Sequence, residues 1–180
     1  MRVMDKRPKI TRRQVLSTGT ASLVAFTIMP GGIIVGAGNA WAAKAKSLKP
    51  QTFATLVQMA RDIYPHDVVA DKFYAGVISG FDDAAAKSND DKKVFEDGVK
   101  QLNTSANSKH GAAYIDVKWE GQRAALLRDI GSDPFFQRVR GALVGGLYGN
   151  AEVWPLFGYE GPSFPKGGYI DRGFDDIDWL

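Results

Sequence analysis

The chain has 180 residues, with no cysteine, two histidines and a formal net charge of +3 at pH 7. Without cysteine it cannot form disulfides, Cys-ligated iron–sulfur clusters or the C-x-x-C-H attachment of a c-type haem, and two histidines cannot supply a His-rich metal site. Residues 1–42 hold six of the 23 basic residues and one of the 20 acidic ones, so residues 43–180 carry a net charge of −2. The basic excess therefore does not indicate a nucleic-acid surface.

Residues 1–42 are predicted to be a twin-arginine export signal. Arg12 and Arg13 end a basic region, and residues 16–43, which follow, carry no charge. An A-x-A pattern at residues 40–42 closes the apolar run, as it does at many cleavage sites. We therefore expect the chain to be exported by the twin-arginine translocon and to be cut after residue 42.

A retained membrane anchor is the alternative interpretation of this segment, because about 20 apolar residues can span a bilayer. Pro30, Gly31 and Gly32 interrupt the apolar run, and proline and glycine both disfavour a helix. The composition thus favours a cleaved signal. The 138 residues that would remain are enough for one domain with its own core.

Residues 43–154 are predicted to form an all-α domain of about five helices. Apolar residues recur at helical spacing in five stretches, and no stretch of the chain shows the period-two alternation of a half-buried strand. The polar residues 103–108 are expected to form a loop or a frayed helix end. The predicted helices cover about residues 51–64, 71–87, 90–102, 119–130 and 133–148.

A strip of glycines marks the last predicted helix. Gly141, Gly145 and Gly149 recur every four residues and so share one face of the helix. Such a strip lets another backbone approach closely. We interpret it as a surface for helix packing rather than a binding site.

Residues 155–180 are predicted to be an extended tail that binds a partner. Five glycines and three prolines exclude a long helix here, yet the tail is much richer in aromatic residues than disordered tails are. These rings need burial, either back on the helical domain or in a groove on a partner, and the sequence leaves both open. The residues expected to anchor a partner are Trp154, Tyr159, Phe164, Tyr169, Phe174 and Trp179.

Two groups of residues are candidates for a chemical site. His66 beside Asp67 could act as an acid–base pair, but no nucleophile motif accompanies it, so a turn histidine bonded to a neighbouring backbone group is favoured. An acidic group in the tail lacks the ligand spacing of a calcium loop and is expected to be solvated or to face arginines on a partner. It consists of Asp171, Asp175, Asp176 and Asp178. No catalytic, cofactor-binding or metal-binding residue is predicted in this chain.

Five segments carry a resemblance to a known family. They are Tyr64-Pro65-His66-Asp67, residues 146–155 (GLYGNAEVWP), residues 158–162 (GYEGP), residues 166–169 (KGGY) and residues 173–179 (GFDDIDW). Together with the export signal they resemble the gluconate 2-dehydrogenase subunit 3 family, the small subunit of membrane-linked, flavin-dependent sugar and sugar-acid dehydrogenases. The resemblance implies a large FAD-bearing subunit that oxidises the sugar and a multihaem cytochrome c subunit that passes electrons to the respiratory chain. It also implies a small subunit without a redox centre, required for export and maturation of the large one.

The sequence therefore predicts a non-catalytic accessory subunit. The twin-arginine route moves folded proteins that typically carry a cofactor, and this chain has such a signal without a cofactor motif. We expect a second polypeptide to hold the cofactor and to travel with this chain to the periplasm, where the complex is membrane-associated. Two alternatives stay open: a stand-alone periplasmic binding module whose tail folds on its own domain, and an enzyme that uses His66.

Overall fold

The computed structural model describes residues 26–36 and 42–170 of the chain. Within these residues the chain forms five α-helices and one small three-stranded sheet, which confirms the expectation of a small, mostly helical protein. Several sequence predictions lie outside the described residues. These are Arg12 and Arg13 of the export signal, Phe174 and Trp179 of the tail, and the acidic group Asp171, Asp175, Asp176 and Asp178.

Most helix boundaries follow the signals in the sequence. Pro50 and Pro134 stand in the first turns of their helices, where a proline has no hydrogen bond to lose. Asp133 caps the last helix by accepting a hydrogen bond from the Phe135 N–H at 2.8 Å. The helices are α1 (Pro50–Ile63), α2 (Asp71–Lys87), α3 (Asn89–His110), α4 (Glu120–Asp129) and α5 (Pro134–Tyr148). The described part of the chain also holds three short 3-10 helices, Tyr114–Asp116, Trp154–Phe157 and Phe164–Lys166.

Helix α3 is longer than predicted, because residues 103–108 are helical rather than a loop. Leu102 and Ala106 are one turn apart on the buried face, so this polar stretch still contributes to the core. The helix begins after Ser88, whose side chain accepts from the Asp91 N–H, and ends at Gly111 with a φ of 69°. A left-handed glycine is a common helix terminator. The polar residues occupy the outer face of a helix that packs through its other face.

The core is built around α1. Every residue of α1 from Thr52 to Ala60 is buried, and α1 contacts each of the other four helices. A helix that is buried on nearly all sides needs small residues and uncharged polar groups where its neighbours approach, and α1 supplies Ala54, Thr55 and Gln58 there. The position of α1 therefore fixes the loop that follows it, residues 64–70.

A buried ion pair joins α1 to α4. The pair consists of Asp62 of α1 and Arg123 of α4, and both side chains are fully buried. Arg123 donates from Nε to Asp62 Oδ2 at 2.8 Å and from Nη2 to Oδ1 at 2.9 Å. Tyr114 donates its hydroxyl to Oδ2 at 2.7 Å, and Gln58 donates its amide to Oδ1 at 3.0 Å. Burial and the charge of Asp62 raise the pKa of Tyr114 well above its usual value, so this hydroxyl remains a donor. The carboxylate is thus compensated on both oxygens.

Within residues 26–36 and 42–170, no neighbouring helix packs against Gly141 and Gly145 of the predicted glycine strip. A Cβ added at Gly141 or Gly145 would meet nothing within 4 Å. Both glycines lie on the side of α5 opposite its buried residues Val139, Leu143 and Leu147. Close approach occurs instead at Gly146, where an added Cβ would lie 2.6 Å from Val77 of α2.

The sheet was not expected from the sequence. Its strands are β1 (Phe26–Met29), β2 (Ile33–Gly36) and β3 (Ala42–Lys44), antiparallel and in the order β1-β2-β3. Gly31 and Gly32, with φ of 85° and 77°, make the turn between β1 and β2. Part of the apolar run that was expected to be a signal segment is therefore folded beside the helical domain.

Candidate functional site: an aromatic surface

Four rings from three parts of the chain meet beside the loop after α1. His66 Nε2 lies 2.5 Å from the Tyr148 hydroxyl, at the end of α5. The His66 ring centroid lies 4.9 Å from that of Phe157, and the Tyr64 centroid lies 5.7 Å from that of Tyr148. Edge-to-face contacts at these separations stabilise aromatic pairs beyond simple burial. We call Tyr64, His66, Tyr148 and Phe157 the aromatic cluster.

The backbone around His66 is held by α1 and α2. Arg61 donates from Nη1 to the carbonyls of His66 and Val69, both at 2.7 Å. Tyr74 donates its hydroxyl to the Tyr64 carbonyl at 2.5 Å. These bonds satisfy carbonyls of a loop that has no regular structure. The position of the His66 ring is therefore set by side chains outside the loop.

His66 makes hydrogen bonds through both its backbone and its ring. Its N–H donates to the Tyr64 carbonyl at 2.9 Å, as a turn residue would, but its ring reaches the Tyr148 side chain rather than a backbone group. Burial and the charge of Arg61 lower the pKa of His66, and Asp67 offsets this in part. Burial also raises the pKa of Tyr148. At neutral pH both groups are therefore uncharged and form an ordinary hydrogen bond.

The segment at the junction of the helical domain and the tail packs onto the helical domain. Trp154 donates from Nε1 to the Tyr148 carbonyl at 2.7 Å, and Val153 is fully buried. The Trp154 ring packs edge-on against Tyr159 at 5.3 Å between centroids. Of the predicted anchors, Trp154 is thus half-buried against its own chain. The tail turns away from the end of α5 rather than continuing it.

Farther along, the rings of the tail are exposed. The relative exposure is 49% for Tyr159, 92% for Phe164 and 63% for Tyr169. Among the described residues, eight of the fourteen exposed large hydrophobic residues lie between positions 144 and 170, so they are concentrated in this part of the chain. Five of these eight residues are aromatic, and we call the set the aromatic surface. Its members are Val144, Tyr148, Leu156, Phe157, Tyr159, Phe164, Tyr169 and Ile170.

In residues 26–36 and 42–170 there is no group of three or more histidine, aspartate or glutamate residues placed to hold a metal ion. None of the described helices combines the length and the apolar character needed to cross a bilayer. Comparison with protein-family models, curated proteins and solved structures finds no match to this chain. Fold and site together describe a small helical protein with an exposed aromatic surface.

Acidification is expected to loosen the aromatic cluster through His66. Because the folded pKa of His66 is lowered, the unfolded chain takes up its proton first as the pH falls through about 6.5. The contribution to stability is full above that pH and is lost as the pH falls through the folded pKa. We expect His66→Gln to remove this part of the pH dependence of the melting temperature, a small effect because the ring is partly exposed. His110→Gln is the control, and equal slopes for wild type and His66→Gln would contradict the prediction.

Proposed function

We propose that this chain is the non-catalytic small subunit of a flavin-dependent sugar or sugar-acid dehydrogenase complex. It binds the FAD-bearing large subunit, is needed for that subunit's export and maturation, and stays bound to it in the periplasm. The observation that carries the proposal is the aromatic surface, with Phe164 and Tyr169 largely exposed to solvent. Exposed aromatic residues at this density are typical of surfaces that bind another protein.

The aromatic cluster supports the link to the resembling family. His66 belongs to the segment Tyr64–Asp67 and Tyr148 to the segment 146–155, and both segments carry the resemblance. They are 82 residues apart in the sequence, yet the two side chains share a hydrogen bond. When two segments that carry the resemblance also lie together in the fold, a function common to the family would account for both. Binding a partner is a task that needs neither a catalytic group nor a cofactor in this chain.

The proposed complex assigns the redox chemistry to other subunits. FAD belongs to the large subunit, and haem c belongs to a multihaem cytochrome subunit. This chain contributes the binding surface and the twin-arginine signal, through which the translocon receives the folded pair. The complex is periplasmic and membrane-associated, and the chain is not itself an enzyme. The chemical class of the sugar is a property of the large subunit.

A stand-alone periplasmic binding module is the second candidate. Trp154 and Phe157 are packed on the chain's own helical domain, as expected for a tail that folds back rather than reaching a partner. Deleting residues 155–180 separates the two candidates. For the small subunit, the deletion lowers the yield of exported dehydrogenase. For the stand-alone module it leaves that yield unchanged.

Co-purification tests the proposed function directly. A tagged copy of the chain is expressed in its native host, isolated from the periplasmic and membrane fractions under mild conditions, and examined by absorbance spectroscopy. We expect it to bring down a larger polypeptide with a flavin spectrum, together with the bands of haem c. A tagged chain that is isolated alone, without flavin, would contradict the proposal.

The exposed rings are expected to contribute most of the binding energy. Phe164→Ala and Tyr169→Ala are each predicted to weaken binding of the large subunit by about 2 kcal/mol, roughly thirtyfold in affinity. Because both side chains are largely exposed in this chain, the substitutions leave its folding stability nearly unchanged. Trp119→Ala is the matched control, since Trp119 is a 62% exposed aromatic residue outside the aromatic surface. Retention of the large subunit at wild-type levels by both tail variants would exclude these rings as anchors.

A further inference from the structure

We propose that a groove between α1, α4 and α5 is a docking site for an acidic segment of the FAD-bearing large subunit. That segment places an apolar side chain in the groove and a carboxylate against two arginines at its rim. The inference rests on the proposed function and adds a second contact with the same partner. Three observations support it: the apolar lining of the groove, the positive charge of its rim, and its continuity with the aromatic cluster.

The groove has a volume of about 510 Å³ and a mostly apolar lining. Ala124 and Leu127 are three positions apart and so share one face of α4, and Phe136 of α5 and Tyr64 at the end of α1 also contribute. Leu127 is almost fully buried, whereas the other three residues are partly buried. A concave, apolar site of this size accepts a large side chain from a binding partner.

Two arginines give the rim of the groove a positive charge. Arg128 of α4 and Arg140 of α5 each lie one turn after an apolar residue of the lining, and both are exposed. In the part of the chain that the structure describes, no acidic side chain forms an ion pair with either arginine. Asp62 also lines the groove, but its carboxylate is already paired with Arg123. The rim can therefore accept a carboxylate from a partner.

The groove is continuous with the proposed binding surface. Tyr64 lines the groove and belongs to the aromatic cluster, where its ring centroid lies 5.7 Å from that of Tyr148. Tyr148 in turn is a member of the aromatic surface. A large subunit that covers the aromatic surface would thus lie next to the groove. Aromatic residues and arginines are both enriched at protein interfaces, and here the two kinds of residue adjoin.

The first test fills the groove with a side chain of this chain. Ala124→Phe places a ring in the groove, whereas Ala125→Phe places the same ring at the next, exposed position of α4, which does not line the groove. Each purified chain is titrated with the flavoprotein isolated by co-purification, and circular dichroism checks that the fold is kept. We expect Ala124→Phe to weaken binding about tenfold or more. Ala125→Phe should bind nearly as the wild type does.

The second test removes charge from the rim without filling the groove. Arg128→Gln and Arg140→Gln are each expected to weaken binding about tenfold at low salt, and the difference from wild type should shrink at high salt. Lys93→Gln is the matched control, because Lys93 is an exposed basic residue of α3 that does not line the groove. It should bind the flavoprotein with nearly wild-type affinity at either salt concentration.

A single cysteine identifies the occupant of the groove. The chain has no cysteine, so Ser132→Cys introduces a unique thiol for a photoreactive benzophenone label. Ser132 is exposed and adjoins Gly131 of the groove lining. Irradiation of the complex should attach the label to an acidic segment of the large subunit. Attachment instead to a second copy of this chain, or to this chain's own tail, would overturn the proposal.

The two binding tests separate failure of the groove from failure of the proposed function. If the wild type retains the flavoprotein and Ala124→Phe and both arginine variants bind it equally well, the groove is excluded as a docking site and the small-subunit role stands. If the wild type retains no flavoprotein, both the groove and the small-subunit role are wrong.

Discussion

Asp62→Ala is expected to destabilise the protein by about 3–5 kcal/mol, because it leaves a buried guanidinium without its partner. Arg123 places Nε and Nη2 at 2.8 and 2.9 Å from the two carboxylate oxygens, and both side chains are fully buried. The substitution also removes the acceptor of the Tyr114 hydroxyl, which would be left unsatisfied in the core. Urea unfolding followed by circular dichroism measures the change. Loss of the folded state at room temperature would be an extreme form of the same result.

An exposed ion pair provides the control for this prediction. Lys109 and Asp129 approach to 2.5 Å, but both side chains are about half exposed. Lys109→Ala should therefore cost less than about 1 kcal/mol. If Asp62→Ala and Lys109→Ala had similar small effects, α1 and α4 would not be held together by the buried pair.

The helices could be predicted because their signals are local. In α1 the apolar residues repeat at helical spacing and Pro50 marks the start, and in α5 Asp133 and Pro134 do so. The polar composition of residues 103–108 wrongly indicates that α3 ends near residue 102, whereas the helix continues to His110. A polar stretch can remain helical when a few residues, here Leu102 and Ala106, still pack on the core.

The sheet could not be predicted because β2 lacks a strand pattern. Ile33, Ile34 and Val35 form a continuous apolar run, which periodicity cannot distinguish from a buried helix or a signal segment. The identity of the buried residue depends on the position of α1, which the segment itself does not encode. For the glycines of α5, the sequence pattern predicted a contact at positions different from the one that the structure shows. Spacing identified Gly141 and Gly145, whereas among the described residues the close approach on α5 is that of Gly146 to Val77 of α2.

The candidate site was predictable in composition and not in geometry. The density of aromatic residues in the tail indicates a surface, and Tyr159, Phe164 and Tyr169 are indeed exposed. The contact between His66 and Tyr148 joins residues 82 positions apart, and no local pattern in the sequence reports it. The same holds for Asp62 and Arg123, which are 61 positions apart. Long-range polar pairs become visible only when the packing of the helices is known.

Substitution of the paired arginines of the export signal by lysines is expected to have the largest functional effect. If the chain escorts a flavoprotein, the signal serves both polypeptides. The double variant Arg12→Lys, Arg13→Lys leaves the charge of the segment unchanged, so any effect reports the loss of the guanidinium pair rather than of positive charge. Arg2→Lys, Arg7→Lys is the matched control, because it makes the same two exchanges elsewhere in the basic region.

The distribution of dehydrogenase activity between periplasm and cytoplasm tests the central claim most directly. Cells that carry the Arg12→Lys, Arg13→Lys chain are fractionated and assayed with an artificial electron acceptor, alongside the wild type and the matched control. We predict that the flavoprotein and this chain are both retained in the cytoplasm, with almost no periplasmic activity, while the control behaves as wild type. Arrival of the dehydrogenase in the periplasm at wild-type levels, without an export-competent small subunit, would contradict the proposed role.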